Sequence, residues 1–200
     1  MRIGLIGPAE GADEGVLREA TEFLLGDAAV DQAIYLGEDG AAEAMATRWA
    51  EELAGEDGRD FLSRAAELAV SGSAPEIDAL LDADAQLRRL EGLRTLPPPP
   101  ARAVEMVEDR IVLVVHDKKI LDEEDIANAT VIVYGRSDAM LLKRFGPRYF
   151  FTPGPLAAGK VGLIDAEEDG RIAVAVYAPS GMPLHREVLQ GRRTKVSVSG

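Results

Sequence analysis

The chain has 200 residues, of which 46% are hydrophobic and 28% charged, and its formal net charge is −13. A chain this acidic repels the phosphate backbone of nucleic acids and the headgroups of anionic membranes, so we expect neither as a partner. It has no cysteine and only two histidines, which excludes disulfides, thiolate metal sites and a cysteine nucleophile. Any metal site would have to consist mostly of carboxylates.

The N-terminal sequence predicts neither a signal peptide nor a membrane anchor. The apolar stretch at residues 3–7 is interrupted by Pro8 and followed by acidic residues, whereas the apolar region of a signal peptide is longer. No apolar run approaches the roughly 18 residues of a membrane helix. We therefore expect a soluble cytoplasmic protein.

The amino-terminal part has the pattern of a strand, a helix and a second strand. Residues 2–6 form a short apolar run that ends at a glycine and a proline, as a buried strand does. Apolar residues then recur at helical spacing over 16–24, with Asp13 as the predicted N-cap and Gly26 as the left-handed residue after the helix. Residues 33–36 predict the second strand, and such a unit forms a parallel sheet.

Residues 41–91 predict three helices, with breaks at 55–58 and 71–73. Ser73 and Glu76 have the spacing of a capping box at the start of the third helix. Four prolines at 97–100 then form a stiff, extended spacer, because proline fits neither a helix interior nor a central strand.

The second half is rich in predicted strands. They lie at residues 103–107, 111–115, 131–134, 149–152, 161–165, 172–177 and 184–189, with a short helix at 121–127. The first two strands flank a short turn and predict a hairpin. Parallel units early in the chain and antiparallel strands late in it predict two sheets packed face to face, with helices outside. We expect one domain at 1–190 and a flexible tail at 191–200.

Six loops at the ends of predicted strands follow one another in a recognisable order. They lie at residues 7–11, 37–40, 92–95, 116–119, 135–138 and 152–155. In this order the sequence resembles the calcineurin-like metallophosphoesterase family, in its compact bacterial phosphodiesterase branch and the related scaffold subunit of eukaryotic retromer. The resemblance implies an α/β fold, a four-layer α/β/β/α sandwich with an enlarged helical insert at 41–92. It also implies a site at the ends of the two sheets, where two metal ions position a phosphate and activate a water.

The positions that match the family's ligand motifs carry mostly other residues in this chain. They are Pro8, Glu10, Glu38, His116, Arg136 and Asp138. Proline has no ligating side chain, and the third motif reads Gly-Leu-Arg-Thr at 92–95, which offers no ligand. The ligand-capable groups that remain are Glu10, Glu38, His116 and Asp138. Two octahedral ions need more ligands than these, although one weakly held ion, Mn²⁺ or another divalent metal, is an alternative.

Arg136 stands where the resemblance implies a histidine. A guanidinium group there can neutralise Glu10, Glu38 and Asp138 through bidentate hydrogen bonds. We therefore hypothesise that a salt-bridged plug replaces the metal ions. His116, which ends an apolar strand, is more typical of a hydrogen-bonded structural residue than of a metal ligand.

These substitutions predict a catalytically inactive protein with no cofactor, which acts as a protein-binding scaffold or regulatory subunit. One alternative is a divalent-metal-dependent phosphoesterase or phosphodiesterase with the unusual ligand set above, and a weaker one is a sensor of anions or small ligands that uses Arg136. A protein partner would bind at the helical insert 41–92. Within it, Met45, Trp49 and Leu53 recur at helical spacing, which favours core packing over an exposed partner-binding stripe.

Overall fold

A computed structural model of the chain describes residues 1–55 and 60–189. Its strands are β1 (Ile3–Ile6), β2 (Gln32–Tyr35), β3 (Leu93–Thr95), β4 (Ala103–Val107), β5 (Arg110–Val115), β6 (Val131–Tyr134), β7 (Leu141–Phe145), β8 (Arg148–Thr152), β9 (Val161–Ala166), β10 (Ile172–Tyr177) and β11 (Pro183–Val188). Within these ranges they form a six-stranded sheet, ordered β11-β10-β9-β1-β2-β3, and a five-stranded sheet, ordered β4-β5-β6-β8-β7.

Helices lie outside the two sheets. They are α1 (Glu14–Glu22), α2 (Ala41–Ala54), α3 (Phe61–Ser71), α4 (Ala74–Leu90) and α5 (Glu123–Asn128). The three helices predicted before β3 are therefore present. α3 packs on α4, and α1, α2, α4 and α5 contribute to the apolar clusters that cover the outer faces of the sheets. None of the helices in the described part of the chain combines the length and the apolar composition needed to span a bilayer.

Apolar side chains separate into three clusters, because successive residues of a strand face opposite sides of its sheet. Leu5 lies between the two sheets, whereas its neighbour Ile6 packs with α1 and α2. In the second sheet, Val114 lies between the sheets, and Leu113 faces outward, in the cluster that includes Ile126 of α5. This arrangement is the predicted four-layer α/β/β/α sandwich.

The pairing of the strands brings several loops to one edge. β1 is parallel to β2, and β5, β6 and β8 are parallel to one another. Parallel neighbours end at the same edge of a sheet, so the loops at 7–11 and 37–40 lie together on the first sheet. The loops at 116–119, 135–138 and 152–155 lie together on the second.

The predicted strands form within one residue of their expected bounds, but the sequence analysis missed β3 and β7. β3 consists of residues assigned to the third motif loop, and it pairs in parallel with β2. β3 is the last strand at this side of the sheet, and the chain leaves it through Leu96, directly before the prolines at 97–100. The predicted tail at 191–200 and residues 56–58 of the predicted break lie outside the described residues.

The end of the first helix also differs from the prediction. Asp13 caps α1 as expected, since its side chain accepts a hydrogen bond from the backbone N–H of Gly15. The chain then continues into a π-helical turn, Phe23–Asp27. Gly26 lies inside that turn, and the positive φ, 46°, belongs to Ala29. The wider turn postpones the reversal of the chain by three residues.

The capping box predicted at the start of α4 is present. The Glu76 carboxylate accepts hydrogen bonds from the hydroxyl of Ser73 at 2.6 Å and from its backbone N–H at 2.8 Å. The Ser73 hydroxyl, followed by this N–H, lowers the pKa of Glu76 below its ordinary value of 4.5.

Because the folded pKa of Glu76 is depressed, its capping contribution is present above pH 4.5 and is lost as the pH falls through the folded pKa. We expect Ser73→Ala to return the titration midpoint of Glu76 toward 4.5. An NMR titration of the Glu76 carboxyl carbon measures this, and an unchanged midpoint in Ser73→Ala would show that the Ser73 hydroxyl does not bond Glu76.

Candidate functional site

The two sheets are joined at their carboxyl edges by a hydrogen bond from a side chain to the backbone. His116 follows β5, and its Nδ1 atom lies 3.0 Å from the carbonyl oxygen of Leu36, which follows β2. A carbonyl can only accept a hydrogen bond, so Nδ1 is the donor. The carbonyl of His116 in turn accepts hydrogen bonds from the N–H groups of Gly135 and Arg136. His116 is 4% exposed, so this buried imidazole bonds to the backbone of the other sheet.

Two glycines allow the loops of this edge to touch backbone to backbone. A Cβ atom on Gly135 would lie 2.4 Å from the carbonyl oxygen of Leu36, and one on Gly7 would lie 1.8 Å from that of Gly154. The N–H of Leu156 also donates to the carbonyl of Pro8. Backbone therefore fills the space between these loops.

Tyr35 is a residue of this edge that the sequence analysis missed. Its hydroxyl accepts a hydrogen bond from the N–H of Ala9 at 2.8 Å and donates one to Asp39 Oδ1 at 2.7 Å. Burial, and then the bond to Asp39, raises the pKa of Tyr35, so the hydroxyl keeps its proton. It ties the loop after β1 to the loop after β2. The only sequence signal was a tyrosine ending an otherwise aliphatic strand.

Glu38 is the one acidic motif residue that approaches His116. Its Oε1 atom lies 4.0 Å from His116 Nδ1, and its side chain is 57% exposed. This carboxylate therefore approaches the imidazole nitrogen that already donates to Leu36. Glu10 and Asp138 are exposed at the ends of their loops.

Arg136 does not form the predicted plug. Its side chain is 80% exposed, and Nη1 lies 3.8 Å from Asp117 Oδ2, its ion-pair partner among the described residues. The hypothesis that Arg136 neutralises Glu10, Glu38 and Asp138 is therefore wrong. The loop that begins at Gly135 directs the guanidinium group toward solvent, where it is well hydrated.

The residues of this edge do not fit the two-metal centre that the fold implies. In residues 1–55 and 60–189, no group of three or more histidine and acidic side chains is arranged to hold a metal ion. A pair of divalent ions needs several such ligands converging at once. The third loop adds none, because β3 is followed by Leu96 and the prolines at 97–100.

Models of known protein families and curated proteins give no match to this sequence, but solved structures do. One is a conserved uncharacterised protein from Streptococcus pneumoniae, described as a predicted phosphoesterase, at a TM-score of 0.54 and 12% identity over 94% of this chain and 97% of that one. A single mutant of Vps29 from Entamoeba histolytica has a TM-score of 0.53 and 12% identity over 95% and 100% of the two chains. Vacuolar protein sorting 29 from Cryptosporidium parvum has the same TM-score and identity over 94% and 97%. The likeness confirms the predicted fold.

Proposed function

We propose that this chain, which has the fold of the calcineurin-like phosphoesterases, is a catalytically inactive scaffold or regulatory subunit that binds another protein through its helical insert. The observation that supports this is the solvent exposure of α3. None of the eleven residues of this helix is buried in the described part of the chain.

One face of α3 packs within the insert. Phe61, Ala65 and Leu68 are half-buried and recur at spacings of four and three, which places them on one side of the helix. The neighbouring element is α4. This face carries the packing of α3 against α4.

The other face of α3 is apolar and open to solvent. Leu62 is 76% exposed and Val70 is 90% exposed, and Ala66 and Ala69 lie between them on the same side. The apolar surface of α3 is therefore wider than the face that packs on α4, and the apolar surface of a helix is normally buried. An exposed stripe of this kind marks an interaction surface, and we expect the apolar face of a partner helix to cover it.

The other candidate stripe in the insert belongs to the core. Met45 is 1% exposed and Trp49 is 5% exposed, and both pack between α2 and the first sheet. Core packing, the favoured prediction for these residues, is confirmed. The proposed interface is therefore the outer surface of α3, extended by Ile77 and Leu81 of α4, which are 37% and 51% exposed.

We expect Leu62→Asp combined with Val70→Asp to abolish co-purification of the partner from native extract. Two charges in the centre of an apolar interface weaken binding by about 2 kcal/mol or more, roughly 30-fold. Because both positions are exposed, the free energy of unfolding should change by less than about 0.5 kcal/mol.

Met182→Asp is the matched control, because Met182 is 59% exposed on the turn before β11. It should retain the partner that the α3 variant loses. Retention of the partner by both variants would contradict an interface on α3.

A divalent-metal phosphoesterase is the second candidate, favoured because two ligand-capable motif residues, Glu38 and His116, lie together, with 4.0 Å between Glu38 Oε1 and His116 Nδ1. Since Nδ1 donates to Leu36, Nε2 is the His116 nitrogen that keeps a lone pair for a metal. Metal analysis of the purified protein and a phosphodiester assay with Mn²⁺ test it directly. Stoichiometric metal, together with turnover that His116→Ala abolishes, would overturn the scaffold proposal. Under the scaffold proposal no turnover is expected.

The absence of cysteine is typical of a reducing compartment, and we place the protein in the cytoplasm.

A further inference from the structure

A cavity lies at the end of the second sheet opposite the candidate site. Its volume is about 430 Å³, within the range of small-molecule sites. Arg110 begins β5 and Arg148 begins β8, and both line it. Ile172, at the start of β10, and Leu189, directly after β11, close it from the first sheet. Since β5 and β8 end at the candidate site, the cavity is separate from that site.

Arginine dominates the charge of this cavity. Arg110, Arg148 and Arg171 line it together with one carboxylate, Asp109. Such a concentration of guanidinium groups stands out in a chain whose formal net charge is −13.

Two of these arginines have carboxylate partners. Arg110 Nε lies 2.8 Å from Asp109 Oδ1, and Arg171 Nε lies 2.7 Å from Asp169 Oδ2. Both pairs use one edge of the guanidinium group, and Asp109 is 77% exposed. Each of these two guanidinium groups therefore keeps other N–H groups that can donate to a ligand.

Arg148 has no carboxylate partner among the described residues. Its Nη2 atom donates to the carbonyl oxygen of Ala127 at 2.8 Å, and its Nε atom is buried without a hydrogen-bond partner in the described part of the chain. Buried polar groups are normally hydrogen-bonded, which makes the unpaired Nε atom unusual. The bond from Nη2 to Ala127 is open to solvent, so the cavity wall carries an accessible cation that no carboxylate of the described residues neutralises.

We propose that this cavity binds a small anion with a phosphate or carboxylate group, which Arg148 contacts and Arg110 and Arg171 flank. Guanidinium groups bind both oxyanions through paired, charge-assisted hydrogen bonds. The asparagine and threonine of the lining, Asn128 and Thr130, add neutral polar groups for the rest of the ligand. The inference does not depend on the scaffold function, because none of these residues belongs to the helical insert.

Thermal unfolding of the full chain in increasing inorganic phosphate or citrate, at constant ionic strength set with sodium chloride, tests the proposal. A ligand that binds only the folded state raises the midpoint in a saturable way. Phosphate and citrate are separate arms, so the arm that saturates identifies the preferred oxyanion. Arg148→Met should weaken the apparent affinity at least tenfold.

Arg88→Met is the control, since it removes one charge from α4, where the Arg88 side chain is 72% exposed, and it should leave the affinity unchanged. If Arg148→Met does not fold, Arg171→Met serves instead, because that side chain is 54% exposed, and it should weaken binding severalfold. The proposal is overturned if neither anion gives a saturable shift in the wild type. Equal affinity in the wild type and the folded cavity variant would overturn it too.

Discussion

Gly7→Ala should lower the free energy of unfolding by about 4 kcal/mol, at the upper end of the range for a single substitution. The added Cβ would lie 1.8 Å from the carbonyl oxygen of Gly154 and 2.9 Å from its carbon. Both atoms are backbone, so no side-chain rotation relieves the overlap. The hydrogen bond from Leu156 to the carbonyl of Pro8 holds the same two loops together, and the collision would therefore separate the sheets at this edge.

Equilibrium unfolding in urea measures the effect, and Gly26→Ala is its control. A Cβ on Gly26 has only the Arg89 Nη1 atom within reach, at 4.0 Å, and Gly26 lies in a helical turn. We expect the control to change the free energy of unfolding by less than about 1 kcal/mol. Similar losses in the two variants would mean that the loops at Gly7 and Gly154 do not touch.

Phe151→Ala should cost about 4 kcal/mol of unfolding free energy, because it empties the middle of the layer between the two sheets. Phe151 is fully buried. Its ring lies over the backbone of Gly162 in β9, where a Cβ would come within 2.7 Å of the ring. Phe145→Ala on the adjacent β7 is the control, since Phe145 is 52% exposed, and it should cost less than about 1 kcal/mol.

A double-mutant cycle tests whether Gly162 makes room for the ring. Gly162→Ala should destabilise the wild type and cost much less in Phe151→Ala, with a coupling free energy of about 1 kcal/mol or more. Strict additivity of the two substitutions in urea unfolding would contradict this packing.

The sequence was sufficient for the fold where strands are buried. β1, β6 and β10 are continuous apolar runs bounded by turn residues, and their pattern alone locates them. β3 and β7 are mostly exposed edge strands. Pairing with a neighbour, rather than their own apolar pattern, makes them strands, so a local pattern does not indicate them.

The position of the candidate site in the fold could be predicted, but the hydrogen bonds between its residues could not. The resemblance implied a site at the loops that follow the strands, and the parallel pairing of β1 with β2 brings the loops at 7–11 and 37–40 to one edge. The hydrogen bond from the Ala9 N–H to the Tyr35 hydroxyl joins residues 26 positions apart, and that from His116 to Leu36 joins residues 80 apart. The direction of Arg136 depends on the three-dimensional course of its loop. Residue types at motif positions carry none of this information.

The position of the insert has a consequence for how this chain can vary. β2 and β3 are adjacent parallel strands, and a connection between such strands needs about a dozen residues, usually one helix. α4, with 17 residues, is long enough for that connection, and α2 adds Met45 and Trp49 to the core. α3 is required by neither the topology nor the core. It is therefore the part of the chain whose sequence and length can change without disturbing either sheet.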